Sequence, residues 1–164
     1  MIKSSNRQGL SQMQLSLGSL FSLELLLPSA EMYLFSPWIS DIALVDNRVG
    51  QYRALRPDEA PSYLRLTELL NHLAQQGTRI HILCRPNLPR NEEVLRRLDP
   101  IIKVKYIETF HEKGLITPQF YWRGSMNLTF FGTEVNDEHV EITTDSETVT
   151  RALLEAQERW RVLA

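Results

Sequence analysis

The sequence predicts an α/β domain built on a mixed β-sheet with helices on both faces. Three observations carry that expectation. Apolar residues at helical spacing alternate along the chain with short apolar or period-two runs. Proline and glycine stand between these runs, at Pro28, Pro37, Gly77 and Pro118 among others. The chain has 164 residues, of which 43% are hydrophobic and 23% charged, and such a composition belongs to one globular domain, here residues 1–164. Helices interleaved with strands in this order read as layers packed on a shared sheet.

The elements follow in chain order. Residues 1–14 are polar and expected to fray. A first helix is expected from Leu15 to Leu27, stopped by Pro28. Its apolar run is too short to span a bilayer and contains Glu24. Lys3 and Arg7 precede that run and Pro28-Ser29-Ala30 follows it, but the internal charge and the Gln/Ser-rich lead-in favour a packed helix over a cleaved leader. Met32 to Phe35 reads as a buried strand that ends at Ser36-Pro37-Trp38. Residues 40–60 read mainly as a surface loop, the expected place for specificity. Ser62 is expected to cap a helix from Tyr63 to Gln76, whose Leu66, Leu69, Leu70 and Leu73 share one face before Gly77 ends it. Arg79 to Cys84 is a strand. Asn91 is expected to cap a short helix to Leu98, with Glu92 and Glu93 in its first turn.

Ile101 to Ile107 alternates, with Lys103 and Lys105 on one side and Ile102, Val104 and Tyr106 on the other. Strands at Gly114–Thr117 and Phe120–Arg123 are expected to turn at Pro118-Gln119. Glu138 to Thr143 reads as the last strand. A final helix starting at Asp145 or Ser146 carries Leu153, Leu154, Trp160 and Leu163.

The charge balance excludes some functions. Lys and Arg total 18 against 20 Asp and Glu, for a formal net charge of −2. The chain has no overall field to draw in a polyanion, so such a partner needs a local basic patch. Between Ile101 and Asn127, Lys103, Lys105, Lys113 and Arg123 outnumber Glu108 and Glu112. The lone Cys84 excludes an internal disulfide framework and fits a reducing, cytoplasmic setting. Cys84 itself reads as a small packing residue. His72 on a helix and His81 on a strand lack partners at metal spacing, so no metal and no cofactor is expected.

The residues that carry chemistry are His111-Glu112-Lys113, then Gly124-Ser125-Met126-Asn127, then Glu138. Histidine can act as a neutral nucleophile near pH 7. Two positions apart on a strand, His111 and Lys113 would share a face, and the lysine would favour an anion there and a deprotonated imidazole. A Gly-Ser-x-Asn turn offers N–H groups, a hydroxyl and a carboxamide to phosphate oxygens. A carboxylate at Glu138 can hold one ring nitrogen of His111 so that the other faces the substrate. Glu141 is its rival, three residues on and expected on the opposite side of the strand. Together these parts describe a phosphodiester site that needs no metal. Tyr121 and Trp122, close to the turn in sequence, read as strand-packing residues or as stacking platforms for a base, and Trp38 as core or a ligand platform.

His111-x-Lys113 followed by Gly124-Ser125-x-Asn127 resembles the signature of the phospholipase D superfamily. The segments Tyr33–Ser40 and Thr78–Leu83 resemble its first two core strands, and Asn136-x-Glu138 the downstream pair of its small nucleases. The chain looks like the single-motif members, which are bacterial nucleases and catalytic domains of some restriction enzymes. It also resembles phospholipase-D-like components of bacterial defence islands, including those linked to deazapurine DNA modification. It departs from the family pattern at Pro118, where that pattern has an aspartate five residues after the lysine.

The resemblance implies a metal-independent phosphodiesterase, a nuclease acting on DNA in bacterial defence. It implies a homodimer with a shared active site, because a single motif supplies one histidine per chain. His111 would attack phosphorus, and His111 of the partner subunit would protonate the leaving oxygen. Lys113 and Asn127 would stabilise the equatorial oxygens, Ser125 would orient them, and Glu138 would set the tautomer. Other defence-system subunits are possible partners, and no membrane is expected. The alternative is a catalytically inactive subunit of the same fold that grips nucleic acid or a partner protein.

Overall fold

The computed structural model describes residues 12–50, 62–125, 128 and 139–163. Helix α1 (Gln12–Leu26) leads into strand β1 (Glu31–Phe35). A β2 (Ala43–Asp46) and β3 (Tyr63–Arg65) pair precedes helix α2 (Leu66–Gln75). Strand β4 (Arg79–Cys84), helix α3 (Pro89–Leu95) and strand β5 (Lys103–Tyr106) follow. Strands β6 (Gly114–Ile116), β7 (Tyr121–Gly124) and β8 (Val140–Thr143) then lead to helix α4 (Ser146–Val162).

Among the described residues, six strands form one mixed sheet in the order β5-β4-β1-β6-β7-β8. β5, β4 and β1 run parallel, whereas β6 pairs with β1 antiparallel and β7 and β8 continue as an antiparallel meander. Strand alternation divides the core between the two faces. Met32 and Leu34 of β1 join α1, α2 and α3 in the larger cluster, with Phe21, Leu70, Val94, Ile82 and Trp122. Tyr33 and Phe35 point the other way, into a smaller cluster with Ala152 and Ala156 of α4. The α/β class and the helices on both faces are as the sequence predicts.

Four local expectations are corrected. Residues 43–46 and 63–65 are not loop and helix but the strands of a two-stranded sheet, with a register shift between Ala43 and Val45; residues 51–61 lie outside the described part. This small sheet exists because α1 packs on it. The buried Gln14 donates to the Ala43 carbonyl at 2.8 Å. At Gly18 a Cβ would come 1.9 Å from the Leu44 carbonyl oxygen, so the helix reaches β2 this closely only with glycine there. α2 therefore begins at Leu66, not Tyr63, and Ser62 does not cap it. The Asp41 carboxylate accepts from the Thr67 N–H at 2.9 Å, and Glu68 accepts from the Arg65 N–H at 2.8 Å.

Asn91 is not a cap either: α3 starts at Pro89, with Leu88 as its N-cap. The buried Asn91 carboxamide accepts from the Ile39 N–H (2.8 Å) and donates to the carbonyls of Pro37 (2.9 Å) and Arg85 (3.0 Å). Finally, β5 is a sheet edge, so Tyr106 is 53% exposed instead of core. Lys105 turns to the C-terminal end of α4, where Nζ donates to the Trp160 and Leu163 carbonyls at 2.8 and 2.6 Å. At its other terminus α4 begins as expected, with Asp145 accepting from the Thr148 N–H.

Two buried polar groups have measurable consequences. Glu24, fully buried, accepts from the Ser29 N–H and hydroxyl (both 2.9 Å) and from the Gln119 amide (3.0 Å). Gln119 also donates to the Leu27 carbonyl at 2.7 Å, so the β6–β7 turn beside Pro118 is tied to the end of α1. Glu24→Ala leaves these buried donors without an acceptor. We expect it to lower stability by about 3 kcal/mol in urea denaturation.

His81 is stacked on Tyr33 at 4.7 Å and meets Trp160 edge-on at 4.7 Å. Burial holds its pKa below the ordinary histidine value of 6.5; Glu31 opposes that effect, while Lys103 and Arg79 reinforce it. The unfolded chain then takes up the proton before the folded one does. His81 therefore contributes a stability that is constant above about pH 6.5 and falls as the pH drops below it. Urea denaturation from about pH 7.5 to about pH 5.5 should show this decline, and His81→Phe should flatten it.

Candidate active site

Strand register brings four separate segments to one end of the sheet. β1 ends at Phe35, opposite Leu83 of β4 on one side and Gly114 of β6 on the other. Gly114 faces Arg123 of β7, and Gly124 faces Val140 of β8. His111-Glu112-Lys113 before β6, Arg85 after β4, Ser125 after β7 and His139 before β8 therefore share this end. Six of the residues there, His111, Glu112, Lys113, Arg123, Ser125 and His139, border an open cleft of about 360 Å³.

The Gly124-Ser125 turn is fixed by close strand approach. A Cβ on residue 124 would lie 2.2 Å from the His139 carbonyl oxygen, so any side chain there would push β8 away. Because glycine allows the approach, the Ser125 N–H donates to the His139 carbonyl at 3.0 Å, and the Ser125 hydroxyl accepts from the His139 N–H at 3.1 Å.

His111 is exposed and lies with Lys113 in the segment before β6, not within a strand. Strand alternation thus does not set their directions, contrary to expectation, yet both border the cleft. Lys113 Nζ donates to the His111 carbonyl at 2.6 Å. Glu112 forms an ion pair with Arg159, which ties this segment to α4.

The sequence reading missed Arg85. Its Nη2 lies 3.0 Å from Nδ1 and 3.1 Å from Nε2 of His111, and its Nε donates to the Phe110 carbonyl at 2.7 Å. Its guanidinium lies over Trp38, 4.6 Å from the ring centroid, and its carbonyl is held by Asn91. A guanidinium carries only donors, and with both ring nitrogens within 3.1 Å the contact lies along the edge of the ring between them. The available signal was position: Arg85 follows a buried strand at its carboxyl end, where open α/β sheets place their ligands.

Asn127 and Glu138 lie outside the described residues, so neither is placed against His111. Leu128 does show where the chain goes after the turn. Its N–H donates to Ser36 Oγ at 3.2 Å, and it bridges to Ile39, across the end of β1. Glu141 borders the cleft but is engaged by Arg123, at 2.7 and 2.9 Å. With Lys105 turned to α4 and Arg123 paired, the positive patch counted from the sequence is redistributed: among the described residues, Lys113 and Arg85 stand beside His111. Trp122 is fully buried in the core and offers no stacking face, whereas Tyr121 is half-buried at the cleft. Cys84 is buried and its thiol is pushed up to about 12, as befits a packing residue. Among the described residues, no three His, Cys, Asp or Glu side chains are placed to hold a metal ion. Among them, too, no helix is long and apolar enough to cross a membrane.

No protein-family model and no curated protein matches the chain by sequence. Solved structures match it by shape. It is similar to a phospholipase D family member, Nuc, from Salmonella typhimurium, with a TM-score of 0.61 and 15% identity, covering 89% of this chain and 88% of that one. It is similar to NucT from Helicobacter pylori, with a TM-score of 0.61 and 17% identity over 91% of this chain and 89% of that one. Polyphosphate kinase from Porphyromonas gingivalis matches with a TM-score of 0.57 and 14% identity, covering 87% of this chain but 24% of its own length. At these identities the likeness speaks for architecture, and the chain therefore has a phospholipase D-like fold.

Proposed function

We propose that the protein is a metal-independent phosphodiesterase, a nuclease acting on DNA through a phosphohistidine intermediate. The observation that carries this reading is the exposed His111 ring at an open cleft, with Arg85 on its nitrogens and Lys113 and the Gly124-Ser125 turn beside it. These groups supply what a diester exchange needs: a lone pair, cations for the anionic phosphate and hydrogen-bond donors for its oxygens.

A ring nitrogen of His111 attacks phosphorus, and the P–N bond forms as the P–O bond to the leaving alkoxide breaks. The imidazolium of His111 of the partner subunit protonates that alkoxide. The same imidazole, now neutral, takes a proton from water, and the hydroxide attacks phosphorus and releases His111 with a phosphomonoester. Lys113, Asn127 and Arg85 hold the equatorial oxygens, Ser125 orients them, and Glu138 fixes the tautomer. The motif occurs once per chain, so the second histidine calls for a two-fold dimer with a shared site. At Pro118, where the chain departs from the family pattern, the neighbouring Gln119 anchors the turn to α1. A role in host defence rests on the sequence resemblance alone.

In EDTA, the wild type should nick plasmid DNA and hydrolyse bis(p-nitrophenyl) phosphate, and His111→Ala should lower the rate at least about 10³-fold. Arg85→Ala should lower kcat/KM about 10²-fold. Light scattering should give twice the 19.0 kDa chain mass. Cleavage that survives in His111→Ala would refute the mechanism. DNA binding without cleavage by the wild type would favour the inactive binding subunit.

A further inference from the structure

We infer that the cleft framed by Arg65, Arg90 and Arg97 is a second phosphate-binding position, which takes another phosphate of a polynucleotide strand whose scissile phosphate lies at His111. The inference rests on the phosphodiesterase reading and names its substrate class as an extended strand rather than a small diester.

The cleft has a volume of about 220 Å³ and is bordered by Ser40, Asp41 and Glu93 besides the three arginines. Three guanidinium groups face two carboxylates, and those carboxylates are already engaged. Asp41 accepts from the Thr67 N–H through Oδ1 and pairs with Arg97 through Oδ2 at 3.3 Å. Glu93 pairs with Arg97 at 2.9 Å. Arg65 gives one N–H to the Asp41 carbonyl at 2.6 Å, which leaves further donors of its fork. Arg90 is exposed, and its guanidinium has no hydrogen bond or ion pair with a described residue. The balance is a concave site with unspent guanidinium donors, the chemistry that recognises phosphate.

Its position ties it to the candidate active site. Ser40 is two residues from Trp38, on which Arg85 lies, a chain span of at most about 7 Å. Arg90 precedes Asn91, whose carboxamide holds the Arg85, Pro37 and Ile39 backbones together. Ser40 and Asp41 follow β1, and Arg90 and Arg97 belong to the α3 segment that follows β4, so the cleft draws on the same two connections that carry Trp38 and Arg85. A phosphomonoester or a small diester could not occupy both positions.

The test separates binding from cleavage by using the full chain carrying His111→Ala. Fluorescence anisotropy with a short labelled single-stranded DNA, over a series of salt concentrations, reads the affinity. Adding Arg90→Glu should weaken binding about tenfold at low salt and reduce the slope of log affinity against log salt by about 0.7 or more. Arg90→Lys should keep most of the affinity, and equal thermal midpoints would show that the exposed substitution leaves the fold intact. Such a result upholds the second site even if the wild type proves unable to cleave a diester. Equal DNA affinity of Arg90→Glu and its parent overturns it, even if the wild type cleaves. It is overturned equally if the parent binds no DNA, or if it binds anionic phospholipid vesicles in place of DNA.

Discussion

β1 lies between a parallel neighbour, β4, and an antiparallel neighbour, β6, and the candidate active site is a consequence of that pairing. A parallel sheet gathers its carboxyl ends on one side, and ligands in open α/β sheets collect there. Reversing direction at β6 brings the amino end of that strand to the same side, and β7 and β8 then contribute a carboxyl and an amino end in turn. His111 and Ser125 are fourteen positions apart in sequence, and Arg85 is twenty-six before His111, yet hydrogen-bond register places all three at one sheet end. β1 can hold this place because its side chains are apolar on both faces, Met32 and Leu34 toward one core and Tyr33 and Phe35 toward the other.

The loops at that end are held by buried polar side chains rather than by further strands. Asn91 uses both its oxygen and its nitrogen to bind three backbone groups from the loops after β1 and β4. Ser36 does the same on a smaller scale, donating to the Trp38 carbonyl and accepting from the Leu128 N–H. At the opposite end of β6, Glu24 gathers Ser29 and Gln119. Buried groups of this kind are costly when left unpaired, so each network holds its loops in one arrangement. Arg85 gains its orientation from such support: its carbonyl is held by Asn91, its Nε by Phe110, and its flat face by Trp38. The guanidinium at the His111 ring is thereby aimed by three independent contacts.

The fold class, both sheet faces and most elements were legible in the amino-acid sequence, because burial leaves a periodic trace. The leucines of α2, the alternation in β1 and β4, and the Pro118-Gln119 turn all carry it. The β2–β3 pair left none: its strands have four and three residues, and they depend on α1 packing against them through Gly18 and Gln14. Asn91 was misread for a similar reason. Its residue type and position before two glutamates fit a cap, whereas its three partners are remote in sequence and invisible to local pattern. The histidine, lysine and glycine-serine turn that border the candidate cleft could be picked out from residue types and spacing.

By itself, then, the sequence determined the layered α/β class and singled out the residues proposed for phosphate chemistry, since composition, periodicity and motif spacing are local properties of the chain. Only the tertiary structure decided which charges meet. It turned Lys105 to the end of α4, paired Arg123 with Glu141, brought Arg85 onto the ring of His111 and set Arg65, Arg90 and Arg97 around one cleft. A long charged side chain takes its partner from whatever the strand register and helix packing bring within a few ångströms. That neighbourhood is a property of the folded chain, written nowhere in the order of its residues.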